Sequence, residues 1–329
     1  MGKNSKRSRC PKCNSLNVIK WGIQCGCQRF KCKDCGTCFT PTRPDVSASN
    51  RFVWFRKWVS GKQRIEDIAK ESGYSSRQLH RWFDEYLKDA PECKIQHRKA
   101  YRVLIDGTWF DENHCLIVYR DAVSKSTLYY RFAKDENEYE IIQDLQMFKA
   151  LRLHISSFTT DGGQDIIRAI KYVYPYTVRQ RCVVHIEREC LVWLTQHPRT
   201  SAGIKLRRLV CQISHIETEN DKLYWIKELN QWHEEYEDFI NQKSVNQETG
   251  EMTFTHDSVR KAYTHLDRAV SNMFKYIDNP DVPKNTNSLE SFFGHLKDNL
   301  RIHRGLSHDR LNDFIKWYLY FSDEKKKKD

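Results

Sequence analysis

The chain has 329 residues, 39% of them hydrophobic and 12% aromatic, with 55 Lys+Arg against 43 Asp+Glu for a net charge of +12. That length suits two or three domains with at least one sizeable core, and the apolar share excludes a disordered chain. No apolar run approaches a membrane span and the opening "MGKNSKRSRC" lacks the apolar core of a secretion signal, so no membrane partner is expected and the expected location is cytoplasmic, associated with the nucleoid.

The excess charge lies at one end. Residues 1–100 hold 22 Lys+Arg against 9 Asp+Glu, whereas residues 101–329 hold 33 against 34. A basic module joined to a near-neutral body is the electrostatic layout of a nucleic-acid-binding domain attached to something else, with a solvated basic surface as the alternative.

Seven of the twelve cysteines fall within the first 38 residues, a clustering that in a reducing compartment favours metal over disulfides. "CPKC" and "CKDC" place Cys10, Cys13, Cys32 and Cys35 as two Cys-x2-Cys knuckles 18 residues apart. Two such knuckles make the closed tetrahedral site of one structural Zn2+, and the β-rich stretch between them suits a ribbon hairpin over residues 1–42. Free or redox thiols are the alternative, and Cys25, Cys27 and Cys38 are surplus thiols, one of which can substitute as a ligand.

After a Pro/Ser-rich linker, residues 50–92 read as short helices. Ile65, Ile68 and Ala69 form one apolar face, Gly73 breaks the helix, and Ser75 or Ser76 caps a second helix carrying Leu79, Trp82 and Phe83. This pattern fits a helix-turn-helix with Arg77, Gln78, His80 and Arg81 displayed toward a DNA groove, or an ordinary basic helical hairpin.

From residue 101 the periodicity changes. "YRVLIDGTWF", "CLIVYRDAV" and "TLYYRFA" predict a three-stranded meander; then follow a helix, a strand ending at Asp161, a helix stopped by Pro175, and the strand "TVRQRCVVH". That order is an α/β RNase H-like fold, a mixed sheet flanked by helices, begun at residues 100–185. Its first and fourth strands are neighbours, so Asp106 and Asp161 can meet and hold divalent ions through oxygen ligands. Asp106-Gly107 and Asp161-Gly162 are also good turn dipeptides.

The third carboxylate expected is Glu290 in "TNSLESFFGHLK", which would complete a two-metal site. The same stretch also reads as a capping box, with Asn287 as cap and Glu290 three residues on. At about 100° per residue, Lys297, Arg301 and Arg304 fall on the stripe of Glu290 while Leu289, Phe292, Phe293, Leu296 and Leu300 form another face. A carboxylate followed by cations suits a metal-bound phosphodiester running along the helix; a solvated basic face is the alternative.

"VLIDGTWF", "FTTDGG", "RCVVHIER" and "TNSLESFFGHLK" together resemble the DDE transposases of bacterial insertion sequences related to Mutator-like elements, in a variant with an N-terminal zinc-binding domain. The resemblance covers nearly the whole chain. It implies a catalytic triad of Asp106, Asp161 and Glu290 using two Mg2+ or Mn2+, a basic residue at Lys297, and a Cys-x2-His signature at Cys182 and His185 near the active site, residues that otherwise read as packing. It also implies an all-α insertion at 186–283 before Glu-bearing helices at 284–322, consistent with amphipathic patterns in both long helical stretches there. The partners implied are double-stranded DNA, as terminal inverted repeats and target, and further copies of the chain as a homodimer or larger oligomer. A zinc-dependent DNA-binding regulator with a non-catalytic body is the rival reading, and a structure-selective nuclease a third.

Overall fold

A computed structural model describes residues 9–24, 27–40, 44–92, 95, 98–245 and 250–326. Cys25 and the side chain of Cys27, two of the surplus thiols, lie outside the described residues. The chain divides into two compact units, Met1–Tyr86 and Leu87–Asp329.

The first unit opens with an antiparallel ribbon of β1 (Val18–Gln24), β2 (Cys27–Cys32) and β3 (Cys38–Phe39). Its two Cys-x2-Cys knuckles share one backbone pattern. Asn14 N–H donates to Cys10 O at 2.9 Å and Gly36 N–H to Cys32 O at 3.0 Å. Both donors are left-handed, at φ 58° and 72°, and Asn and Gly are the residues that adopt this conformation most readily.

Three helices follow: α1 (Pro44–Ser60), α2 (Ile65–Ser72) and α3 (Ser76–Leu87). α1 begins inside the stretch read as a linker, because Pro44 suits the first helical position, where a missing N–H leaves nothing unpaired. Phe55 and Trp58 of α1, Ile65 and Ile68 of α2, and Leu79, Trp82 and Phe83 of α3 are buried together. The Trp58 and Phe83 rings stack at 5.1 Å. Gly73 closes α2 at φ 74°, and Ser75, the outer of the two candidate caps, accepts from Gln78 N–H at 3.3 Å. Arg77, His80 and Arg81 are left exposed on α3.

The second unit is built on a five-stranded mixed sheet. β4 (Tyr101–Asp111), β5 (His114–Asp121) and β6 (Thr127–Ala133) form the expected antiparallel meander, while β7 (Ile155–Thr160) and β8 (Val178–Arg181) run parallel to β4, in spatial order β6-β5-β4-β7-β8. The chain order of these elements, and the adjacency of the first and fourth strands of the sheet, are as expected from the sequence. Val103, Ile105, Ile117 and Phe158 pack under α4 (Glu138–Ala150) and α5 (Gln164–Val173). The alternate residues Leu104, Leu116 and Val118 pack against α11 (Asn287–Ile302) and α12 (His308–Lys326). Burial of both faces explains why these strands read as continuous apolar runs.

Between β8 and α11 lies a helical lobe of α6 (Val183–Leu194), α7 (Ser201–Val210), α8 (Glu219–Asn241), α9 (Asp257–Met273) and α10 (Lys275–Asp278). Its core includes Cys190, Leu206, Trp225, Trp232 and Leu266, and the indole N–H groups of Trp225 and Trp232 reach Leu209 O and Ala202 O at 2.9 and 3.0 Å. The lobe is not all-α as expected: β9 (Lys243–Val245) and β10 (Met252–Phe254) pair as a short antiparallel ladder. Three-residue strands carry too little periodicity to be read from sequence.

Candidate active site

Asp106 sits mid-strand in β4, next to Ile105, which pairs with Thr160 at the end of β7. The parallel register therefore brings Asp106, in the middle of β4, beside Asp161, which directly follows the C-terminal end of β7. The turn reading of Asp106-Gly107 fails, because Gly107 lies within β4. A Cβ there would overlap Glu136 Oε1 and lie 3.3 Å from Cys115 Sγ. The glycine is a notch for a carboxylate that sequence reasoning missed. Asp161-Gly162 is a true turn: Gly162 has φ 107°, a side chain there would overlap the Arg181 guanidinium, and Asp161 Oδ1 accepts from Gly163 N–H at 2.9 Å.

Glu290 reaches the same region from the face covered by α11. The preceding segment is docked by long-range bonds: Thr159 Oγ1 donates to Pro283 O at 3.0 Å and Val183 N–H to Lys284 O at 3.2 Å. The residue that caps α11 is Thr286, not Asn287, and it makes no side-chain capping bond. Glu290 is thus the fourth residue of the helix, and its backbone N–H bonds Thr286 O at 3.1 Å. The capping-box reading fails there, while Thr218 and Asp221 do form such a box at the start of α8. Instead Glu290 Oε2 accepts from Arg188 at 3.1 Å and Oε1 lies 3.6 Å from His185 Nδ1.

The strand expected through "TVRQRCVVH" ends at Arg181, and Cys182 caps α6. Cys182 Sγ accepts the Thr286 N–H at 3.3 Å, and His185 Nδ1 lies 3.5 Å from Thr286 Oγ1. A hydrogen bond to Cys182 raises His185 to about 9 against the opposing effect of burial. Burial alone would raise the Cys182 thiol, but bonds with His185 and Thr286 outweigh it and lower its pKa. Cys182 and His185 therefore seat the helix that carries Glu290.

Among the described residues, donor atoms within 4.8 Å of one another gather in three groups: Cys10, Cys13, Cys32 and Cys35; Asp111, His114 and His308; and Cys182, His185 and Glu290. The paired sulfur distances of 3.5 and 3.6 Å approach the ~3.8 Å edge of a tetrahedron with 2.3 Å Zn–S bonds. Glu290 is drawn to His185 and Arg188 and not to the aspartates, since like charges repel and these cations compensate it. Even so, the carboxylates fit a hard divalent cation: Asp106 is only 7% exposed, with no hydrogen bond or ion pair to any described residue, and Glu290 Oε1 is buried without a hydrogen-bond partner.

Burial, then Asp161, pushes Asp106 up to about 7, with Glu136 and Glu290 adding to the shift and His185 opposing it. Burial, then Asp161 and Asp165, pushes Glu136 up to about 7 as well. A carboxyl raised on folding holds its proton better in the native state. Its stabilisation is full below the unfolded value near 4 and is lost as pH rises through about 7. With a chelator present, Asp106→Asn should therefore be more stable than the parent at pH 8, by a few kcal/mol at most, about what raising a carboxyl from near 4 to about 7 costs. That advantage should fade toward pH 4 and shrink on adding Mn2+. Thermal melts of both proteins across this range check it; a constant difference would remove the electrostatic account of the pair.

Of the expected DNA-contacting cations, Lys297 and Arg301 lie on α11, but Arg304 does not, since the helix ends at Ile302 and His303 caps it. All three still line one shallow cleft with Trp109. A second cleft beside Asp161 is lined by Lys171, Arg181, Arg260, Lys261 and Arg268. Sequence analysis did not single these out, because a cation on an amphipathic helix reads the same whether it faces solvent or a cleft.

Fold and site together define a mixed α/β protein with one aspartate in the middle of β4, a second just past the end of the parallel strand β7, and glutamates approaching the sheet from both faces. A family model described as the IS66 family of transposases matches residues 168–292, which include Glu290 and exclude both aspartates. Among solved structures, the HTLV-2 integrase catalytic core domain in complex with magnesium matches at 16% identity and a TM-score of 0.21, over 47% of this chain and 95% of that one. A simian T-cell lymphotropic virus intasome in complex with PP2A regulatory subunit B56 gamma matches at 14% and 0.21, over 57% and 68%. Among curated proteins no match is found.

Proposed function

We propose that the chain is a DNA transposase that binds the terminal inverted repeats of its element and performs metal-dependent DNA cleavage and strand transfer. The observation that carries this reading is the adjacency of Asp106 and Asp161 on neighbouring parallel strands, under the face of the sheet that α11, the helix of Glu290, covers. The match of residues 168–292 to a transposase family supports it. The finer kinship with Mutator-like insertion-sequence transposases rests on the motifs alone.

In this reading Asp106, Asp161 and Glu290 hold two Mg2+ or Mn2+. Such ions supply an activated attacking oxygen and stabilise the leaving one. Cys182 and His185 hold the α11 N-terminus in place, and Arg188 balances Glu290 until DNA arrives. Lys297, Arg301 and Arg304 neutralise the flanking phosphates. The zinc-bound ribbon and the α2–α3 pair, acting as a helix-turn-helix, select the element ends, and two or more copies act together on paired ends. Incubating the purified protein with DNA carrying the inverted repeats that flank its gene, with and without Mg2+, tests the proposal. Nicking and joining support it; tight binding with neither would leave a DNA-binding regulator, and cutting without joining a nuclease.

The division of labour has its own test. Arg77 and Arg81 are exposed one turn apart on α3, so replacing both with Ala should weaken end-DNA binding and flatten its salt dependence by about one slope unit for each phosphate left without its cation. Unchanged binding isotherms across a salt series would assign end recognition to another surface.

A further inference from the structure

The proposed activity leaves one group of donor side chains unused: Asp111, His114 and His308, each with a ligand atom within 4.8 Å of the others. A bulge brings the first two together. Between Trp109 and Asp111 β4 advances two residues, while β5 advances one, from Cys115 to His114. A bulge re-aims the side chains beside it, and Asp111 comes directly opposite His114 across the Glu112-Asn113 turn, where cross-strand side chains meet. Asp111 Oδ1 accepts from Asn113 N–H at 2.9 Å. Its Oδ2 lies 3.7 Å from Nε2 of His308, the first residue of α12.

His114 is the member that points to an ion. It is only 6% exposed, with the Phe110, Phe132 and His308 rings at centroid distances of 5.3, 5.8 and 5.3 Å. Its Nε2 lies 2.8 Å from Asn312 Oδ1. An amide oxygen only accepts, so the ring proton sits on Nε2 and Nδ1 keeps its lone pair. Nδ1 is buried with no hydrogen-bond partner among the described residues, a costly state for an acceptor. One ring nitrogen donating to a fixed oxygen while the other holds a bare lone pair is the arrangement of a metal-ligating histidine. Asp111 and His308 are exposed, so their side chains have room to close to the ~2.0–2.2 Å that such ligands take around Zn2+. Imidazole nitrogens favour a borderline transition ion over Mg2+.

We propose that Asp111, His114 and His308 form a site for a divalent transition-metal ion of the Zn2+ or Co2+ type, tying the β4–β5 turn to the start of α12. The ion anchors the far end of the 303–307 connection, which carries Arg304. The site stands independently of the proposed activity. Co2+ is titrated into the zinc-loaded full-length chain in excess Mg2+, and bound Co2+ is followed by the hyperfine-shifted imidazole signals in proton NMR spectra. The parent should bind one Co2+ with shifted signals from two histidines. His308→Ala and Asp111→Asn, both at exposed positions, should each weaken binding by about 10-fold or more, the scale on which even outer-shell changes act. His114→Phe, which keeps a ring in the same aromatic surroundings, should do likewise; should it fail to fold, the two exposed variants decide. A parent without shifted imidazole signals, or parent-like affinity in either exposed variant, overturns the site.

Discussion

Glu290→Gln should leave the protein folded and bound to DNA while lowering Mg2+-dependent cleavage and strand transfer by roughly three orders of magnitude or more. A neutral amide is a poor ligand for Mg2+ and does not offset positive ions pressed against a phosphate. The structural effect of the substitution is small. Glu290 is not part of a cap, and the bond it makes to Arg188 is to a side chain 56% exposed, so its loss costs about 1 kcal/mol or less. Asp106→Asn and Asp161→Asn should lose activity on the same scale. Cleavage of end DNA by the purified variants, alongside their melting temperatures, decides the matter: parent-like activity in Glu290→Gln would leave that residue as a partner of Arg188 and His185 and nothing more.

Removing zinc should unfold the ribbon and leave the second unit standing. Cys10 and Cys32 are buried in a segment with few other buried apolar side chains, and a piece this short cannot bury enough surface to fold alone. Structural zinc sites supply about 10–16 kcal/mol at neutral pH, comparable to or larger than the whole stability of a typical domain. Metal analysis should find one zinc per chain held by Cys10, Cys13, Cys32 and Cys35. Chelation should abolish the dispersed amide signals of residues 10–39 while those of the sheet core persist. A zinc-free chain whose ribbon signals stay dispersed would end this assignment.

How much of this was legible beforehand depended on the range of the interactions involved. The two Cys-x2-Cys knuckles, the β4–β6 meander and the α2–α3 turn at Gly73 are written in spacings of a few residues, because ligand reach, strand alternation and left-handed turns are local matters. The adjacency of Asp106 and Asp161 was expected from the whole order of elements and not from the crossover alone, because α4 leaves β6 yet β7 pairs in parallel with β4. Beyond that range the sequence was ambiguous or silent. Asp-Gly and Asn-x-x-Glu look alike as turns, caps or ligands, and only the docking of residues 283–286 onto β7 and α6 moved Glu290 out of a cap and against Arg188 and His185. Glu136 carried no signal at all, because its approach depends on a missing Cβ at Gly107, in another strand, and on how closely the sheet and α4 pack. The sequence by itself thus determined most of the elements, their order and the neighbouring positions of Asp106 and Asp161; the tertiary structure decided which side chains each acidic group meets, because desolvation and through-space charge act between residues that no local periodicity connects.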